Sequence, residues 1–293
     1  MSTFIKIVSC YVQLCKVKIS LFAAISSAVG FMLSASELKT RITILALGTF
    51  FLAAGSSALN HYQERDIDAL MERTKKRPLP SGKIQPSHAL CFSAALLFFG
   101  TATLLLTGSL VAPLLGLLAV LWYNGIYTPL KKRTAFAILP GALIGAVPPA
   151  IGWVVGGGDF RDPRLLSLCF FFFMWQVPHF WLLVLDYAEE YKKAGLPSVA
   201  SIFSRTQLRR ITFSWILATA VSCLFMTVNS IIRYPINLFL LAVSFWVIGN
   251  GVTLLREKRK DVPYSFAFRK INVYLFLVMV LLSADRLFMQ VNH

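Results

Sequence analysis

Acidic residues are scarce in this chain: 13 Asp and Glu stand against 29 Lys and Arg in 293 residues, and charged side chains of all kinds make up only 14%. A sequence so poor in charge, 57% hydrophobic with a mean hydropathy of +0.67, carries more apolar surface than one soluble core hides, which excludes an ordinary soluble globule. Paired cysteines are missing too. Cys10, Cys15, Cys91, Cys169 and Cys223 are scattered without C-x-x-C spacing, mostly in or beside apolar stretches, and read as small packing residues rather than disulfides or metal ligands. The N-terminal MSTFIKIVSCYVQLCKVKIS has no separate apolar stretch ending in a small-residue cleavage site and is too short for an Arg- and Ser-rich transit peptide. The expected address is therefore a bacterial inner membrane. No short internal repeat is recognisable.

What the chain does have is long apolar runs. Windows of about 20 apolar residues, the length a helix needs to cross a bilayer, fall at 17–35, 42–62, 88–106, 109–128, 135–156, 165–185, 211–231, 235–254 and 270–289. The fold class expected is an all-α integral membrane protein, with about nine transmembrane helices around a central cavity opening to the cytoplasmic side, and residues 1–293 as a single domain. Placing the N-terminus in the cytoplasm leaves only Lys39, Arg41, Arg161, Arg164, Arg233 and Arg286 of the 29 cations on outer segments. That is the positive-inside pattern, and it puts the C-terminus in the periplasm. The net charge of +16 then reports topology and attraction to anionic membrane lipid, with no nucleic acid implied.

The inner loops 63–87, 186–210 and 255–269 hold nearly all the polar residues, so the chemistry is expected on that face. Helix-breaking residues interrupt the spans: Pro129 ends the fourth, Pro140, Pro148 and Pro149 lie in the fifth, and Pro178 lies within the sixth. Such breaks persist in a membrane where freed backbone groups line a cavity or find partners on neighbouring helices.

Asn60, Glu64 and Asp68 are spaced by four at the end of the second span, a step that turns a helix by only about 40° and stacks the three side chains on one stripe. Carboxylates at a membrane edge are costly, and two of them with an amide suit a hard, oxygen-preferring cation such as Mg²⁺. The bland alternative is a solvated helix end paired with Arg65, Arg73 and Lys75; Asn60 weighs against it by carrying the stripe into the apolar zone. Asp66 points elsewhere, to a second cation or to Arg65. Asp186 and Glu190 end the sixth span in the same way, an echo expected if two halves each supply a cation-binding corner, although Glu189, Lys192 and Lys193 also make an ordinary mixed-charge helix end. Lys131, Lys132 and Arg133 close the fourth span, as topology anchors or at the depth of a diphosphate. His179, alone inside the sixth span, is either a functional residue or a histidine bonded to a neighbouring helix.

Asn60-His61-Tyr62-Gln63-Glu64-Arg65-Asp66-Ile67-Asp68, continuing through Glu72-Arg73-Thr74-Lys75-Lys76-Arg77, resembles the first signature of the UbiA superfamily of intramembrane prenyltransferases. Tyr127-Thr128-Pro129-Leu130-Lys131-Lys132-Arg133-Thr134, Gly145 to Trp153, Trp175-Gln176-Val177-Pro178-His179-Phe180-Trp181 and Glu190 to Pro197 are similar to further stretches of its protohaem IX farnesyltransferase branch, in the same order. Glu64 and Glu190 stand where that branch usually has Asp, and Ser198-Val199-Ala200-Ser201 replaces its usual Met-Leu-Pro.

The resemblance implies a Mg²⁺-dependent prenyltransferase whose substrates are farnesyl diphosphate and protohaem IX and whose product is haem O, with a downstream haem-modifying enzyme or terminal oxidase as partner. It implies Asn60, Glu64, Asp68, Asp186 and Glu190 around the metal, Lys131 with Arg73 and Arg77 on the leaving group, and Tyr127 and His179 at the binding pocket. A sibling enzyme acting on a small aromatic acid or quinone precursor, an ion-coupled transporter and a non-catalytic oxidase assembly factor are the alternatives.

Overall fold

The computed structural model describes residues 3–35, 40–255 and 264–291; Lys39, Arg256, Lys258, Arg259 and Lys260, used above to read topology, lie outside them. Among the described residues all regular structure is helical, and nine helices are long and apolar enough to cross a membrane, one for each expected span. The chain is a multi-pass membrane protein. The spanning segments are α2 (Val17–Ser34), α3 (Arg41–Asp68), α4 (Pro86–Leu105), a composite from Val111 to Leu130, a second composite from Ala135 to Val155, α9 (Pro163–Asp186), α11 (Arg205–Val228), a segment from Ile236 to Leu255, and α13 (Tyr264–Val291). The composites contain α5 (Val111–Val120) with α6 (Thr128–Leu130), and α7 (Ile138–Ala142) with α8 (Val147–Val155); α12 (Ile236–Val252) forms most of the eighth span. Neighbours follow one another around the molecule, α2 on α3, α3 on α4, α4 on α5, α5 on α8, α8 on α9, α9 on α11, α11 on α12 and α12 on α13. The circuit closes where α13 packs on α2.

Small residues set the tightest crossings. A Cβ added at Gly152 of α8 would lie 1.8 Å from the Ser27 carbonyl oxygen of α2, and one at Gly30 would lie 2.0 Å from that of Pro149, so these two backbones touch directly. In lipid, where water drives nothing together, such close approach supplies the contact that holds helices in place.

Proline acts differently in the two places expected. Pro140, Pro148 and Pro149 divide the fifth span into α7 and α8, with 3₁₀ turns at Ala135–Ala137 and Leu143–Ala146. At Pro178, by contrast, α9 continues without interruption. Proline has no N–H for the carbonyl four residues back, and that carbonyl, Met174 O, lies 2.9 Å from the Thr219 hydroxyl of α11. A neighbouring helix supplies the donor that proline withdrew.

A short apolar helix, α1 (Thr3–Leu14), precedes the first span. Its Phe4, Ile7, Val8 and Val12 are exposed while Cys10 and Leu14 are buried with Ala58, Leu79, Ile84 and Ala89. At 12 residues it is too short to span. It packs on the end of α3 together with the loop after it.

Candidate active site

The stripe on α3 is one continuous helix to Asp68, and its polar side chains are buried: Asn60 is 1%, Glu64 8% and Asp68 2% exposed. Buried carboxylates need counter-charges, and each has one. Glu64 Oε1 forms an ion pair with Lys131 Nζ, and Asp68 Oδ2 lies 2.7 Å from Arg77. Asn60 accepts from Lys16 Nζ at 2.9 Å and donates to Thr128 Oγ1 at 3.1 Å. Glu190, on α10 (Ala188–Lys193), accepts the Arg73 backbone N–H at 3.0 Å, which ties the second acidic helix end to the segment that leaves the first. The Arg73 guanidinium lies 4.6 Å from the Tyr187 ring centre.

The two helix ends are thus joined, although the sequence separates them by more than a hundred residues. The loop between α3 and α4 makes this local geometry. Thr74 Oγ1 donates to the Asp68 carbonyl at 2.8 Å, and buried Met71 and Leu79 anchor the turn that returns Arg77 to Asp68.

Across from the stripe, the fourth span loosens into a π-helical turn, Leu121–Tyr127, before α6. A π turn rotates side chains off their α-helical register and is common where function needs a residue re-aimed. Here it presents Asn124 toward α3, followed by Thr128, while Tyr127 faces α9. Asn124 donates to the Ser56 carbonyl at 3.0 Å and to Gln63 Oε1 at 3.1 Å, and Gln63 Nε2 returns a bond to the Asn124 carbonyl at 3.0 Å. Tyr127 is buried and stacks on Phe180 of α9, centres 5.6 Å apart and planes 6° apart, with Lys131 Nζ 5.5 Å from its ring centre.

Lys16 and Lys131 lie just outside the spans. Burial, then the nearby Arg77 charge, brings the Lys16 ammonium down to about 8, with Glu64 and Asp68 opposing. Burial also disfavours the Lys131 charge, but Glu64 and Tyr191 outweigh it and hold its pKa above the usual lysine value.

Of the residues expected at the site, Asn60, Glu64 and Asp68 share the α3 stripe with Lys131, Arg77 and Tyr127 gathered on it, and Glu190 meets the Arg73 backbone at its edge. Asp186 and His179 stand apart. Asp186 is exposed, with no side-chain partner among the described residues. His179 lies between Trp175 and Phe268, at 4.7 and 4.9 Å, with Nδ1 2.8 Å from Asn272 Oδ1 of α13. Asp66 has a side chain 82% exposed and, among the described residues, pairs only with Arg65, at 3.6 Å. The sequence reading missed Lys16, which had counted only as a topology cation. It occupies the left-handed region (φ 42°, ψ 54°) just before α2, a conformation disfavoured for a side chain with a Cβ. Asn124 and Gln63 were missed as well; Asn124, an amide inside an apolar span, was the readable signal.

No three acidic, histidine or cysteine side chains among the described residues gather as a closed metal cage. The donors nevertheless fit Mg²⁺, which takes one or two carboxylates and completes its shell with water and substrate phosphate. Among the described residues Glu64 and Asp68 each have only one oxygen in an ion pair, and their partners are the groups that would meet a phosphate.

The UbiA prenyltransferase family profile matches residues 22–279. A protoheme IX farnesyltransferase of Nitratidesulfovibrio vulgaris (strain Hildenborough) is 34% identical over 275 residues, covering 94% of each chain. One of Geobacter sulfurreducens is 44% identical over 181 residues, 61% of this chain and 66% of that one, and one of Legionella pneumophila (strain Paris) is 33% identical over 95% of each. Among solved structures, one concerned with digeranylgeranylglyceryl phosphate synthase superposes with a TM-score of 0.76 at 19% identity, over 96% of this chain and 99% of that one. A UbiA homologue of Archaeoglobus fulgidus bound to DMAPP and Mg²⁺ gives 0.71 at 18% identity over 94% and 98%; at such identities the likeness establishes the fold. Matched by the family profile over most of its length and a third identical to full-length relatives, the chain belongs to the UbiA prenyltransferase family, in the branch of the protoheme IX farnesyltransferases.

Proposed function

We propose that this chain transfers the farnesyl group of farnesyl diphosphate to a vinyl group of protohaem IX, with addition of water, giving haem O and diphosphate. The joined acidic helix ends carry this reading, in a chain whose full-length relatives bear that enzyme's name. Residues 1–293 act as one domain in a bacterial inner membrane, with the N-terminus in the cytoplasm, the C-terminus in the periplasm and the reaction chamber open to the cytoplasmic side.

Asn60, Glu64, Asp68 and Glu190 would hold Mg²⁺ through their oxygens, while the exposed Asp186 stays outside that set; the Mg²⁺ and DMAPP held by the Archaeoglobus homologue support this use of a divalent ion. When bound, the ion supplies positive charge to the diphosphate leaving group. Lys131, Arg77, Arg73 and Lys16 add to that charge, and the first two are already poised on the carboxylates beside which the diphosphate sits. The farnesyl C1–O bond breaks with its electron pair leaving on diphosphate. A vinyl carbon of protohaem attacks C1, water adds to the cation left on the haem side chain, and a proton departs.

Water must stay out until the carbon–carbon bond has formed. The Tyr127–Phe180 stack provides an aromatic wall beside Lys131 that shields an allylic cation. On the haem side stands His179, whose Nδ1 is fixed by Asn272. Membranes containing the protein, supplied with farnesyl diphosphate and protohaem with or without Mg²⁺, should yield a haem heavier by one farnesyl and one hydroxyl group only when Mg²⁺ is present. Prenylation of a small aromatic acid or quinone precursor, with protohaem untouched, would overturn the proposal.

A further inference from the structure

The opposite membrane face carries a second polar site. α9 has 24 residues, so at 1.5 Å per residue its two ends stand about 36 Å apart. The Asp186 end leads into α10, whose Glu190 meets the segment after α3. Beside the Pro163 end is an open cleft of about 610 Å³, lined by Asp159, Arg161, Asp162, Arg164, Asn229 and Arg233 among others.

One acid in this cleft is neutralised by an arginine, the other accepts a backbone N–H, and two of the arginine guanidinium groups make no ion pair among the described residues. Asp162 is gripped by Arg164, whose Nε lies 3.1 and 3.0 Å from its two oxygens, and Asp159 Oδ1 accepts the Arg161 backbone N–H at 2.8 Å. Arg233 donates its backbone N–H to Asp285 at 3.1 Å. The guanidinium groups of Arg161 and Arg233 have no hydrogen-bond or ion-pair partner among the described residues, although the Asp285 carboxyl attracts that of Arg233, and both residues are exposed.

Location decides what these two forks recognise. The face opposite the catalytic side is otherwise poor in cations, so three arginines around one hollow depart from the bias that sets topology. Arginine forks match phosphate oxygens in pairs. Directly flanking the cleft in sequence are exposed Phe160, Val228 and Tyr234, at 53%, 78% and 79%, apolar and aromatic groups at the ends of spans where acyl chains meet headgroups.

We propose that this cleft binds the phosphate of an anionic lipid headgroup between Arg161 and Arg233, with the acyl chains passing over Phe160, Val228 and Tyr234. The site is separate from the prenyl-transfer centre and does not depend on which acceptor that centre uses.

The test measures the thermal unfolding midpoint of the purified, delipidated full-length protein in neutral detergent, with short-chain phosphatidylglycerol, phosphatidylcholine or inorganic phosphate added. Phosphatidylglycerol should raise the midpoint by about 3 °C near tenfold saturation, and the other two should not. The Arg161→Gln/Arg233→Gln variant should lose that rise, and Arg161→Lys/Arg233→Lys, which keeps the charge but not the fork, should keep only part of it. An equal rise with inorganic phosphate would overturn the lipid as occupant. A rise retained in the glutamine variant, or no rise with any addition, would overturn the site. Should the glutamine variant fail to fold, native mass spectrometry of the folded wild-type and lysine forms decides, since loss of phosphatidylglycerol adducts from both is equally fatal.

Discussion

At the residue scale the site is a set of matched charges. Glu64 and Lys131 have side chains only 11% and 20% exposed, and removing one partner strands the other in a poorly solvated place. Lys131→Met should therefore cost about 3 kcal/mol of stability, read from detergent unfolding curves. The double variant Lys131→Met/Glu64→Gln should regain most of that loss yet stay inactive, which separates folding from catalysis; recovery of turnover in the double variant would remove Glu64 from the mechanism. Glu64→Gln alone should reduce farnesyl transfer by about 10²-fold or more, because the amide keeps the shape but not the charge facing the cation. Lys16→Met should lower turnover by about tenfold, with the unfolding midpoint near wild type. Unchanged turnover would make Lys16 only an anchor for Asn60.

At the element scale, small residues and borrowed donors decide how closely the helices approach. Gly152→Ala places a methyl group within 1.8 Å of the Ser27 carbonyl, so α2 and α8 must separate. The expected cost is about 2 kcal/mol, checked by comparing unfolding with that of Gly249→Ala on α12, where a Cβ meets nothing within 4 Å. The continuity of α9 is open to a sharper test. The Thr219 hydroxyl lies 2.9 Å from Met174 O and 2.8 Å from Trp215 O, sharing one hydrogen between two acceptors. Thr219→Val should then cost about 1 kcal/mol with Pro178 present and less in a Pro178→Ala background, where Met174 regains a donor within its own helix. Equal costs in both backgrounds would mean that the hydroxyl does not support the proline site.

At the scale of the whole molecule, the acidic corners share one end of the bundle while the arginine cleft lies at the other, and the proposed orientation puts the acidic end in the cytoplasm. With the native cysteines replaced, Asp159→Cys should react with a membrane-impermeant maleimide in intact cells, and Lys193→Cys only after the membrane is opened. The reverse pattern would invert the proposed orientation and place the diphosphate site on the wrong side. Ring closure by α13 on α2 is reinforced where Arg286 donates to the Ala35 carbonyl, so the first and last spans are held together.

Much of this was legible in the chain itself. Span number, the stripe of Asn60, Glu64 and Asp68 and the cationic character of one face follow from apolar run length, a spacing of four and charge placement, all of which are local patterns imposed by the bilayer and by helical geometry. The tertiary structure alone decided that Lys16 reaches Asn60, that Lys131 and Arg77 rather than Lys75 neutralise the stripe, that Glu190 meets the Arg73 backbone while Asp186 has no side-chain partner among the described residues, and that α9 passes through Pro178 unbroken. Each of these depends on a partner brought in by another helix. Spacing along one segment carries no record of that partner, because a buried charge or a freed carbonyl is satisfied by whichever group packing places within about 3 Å.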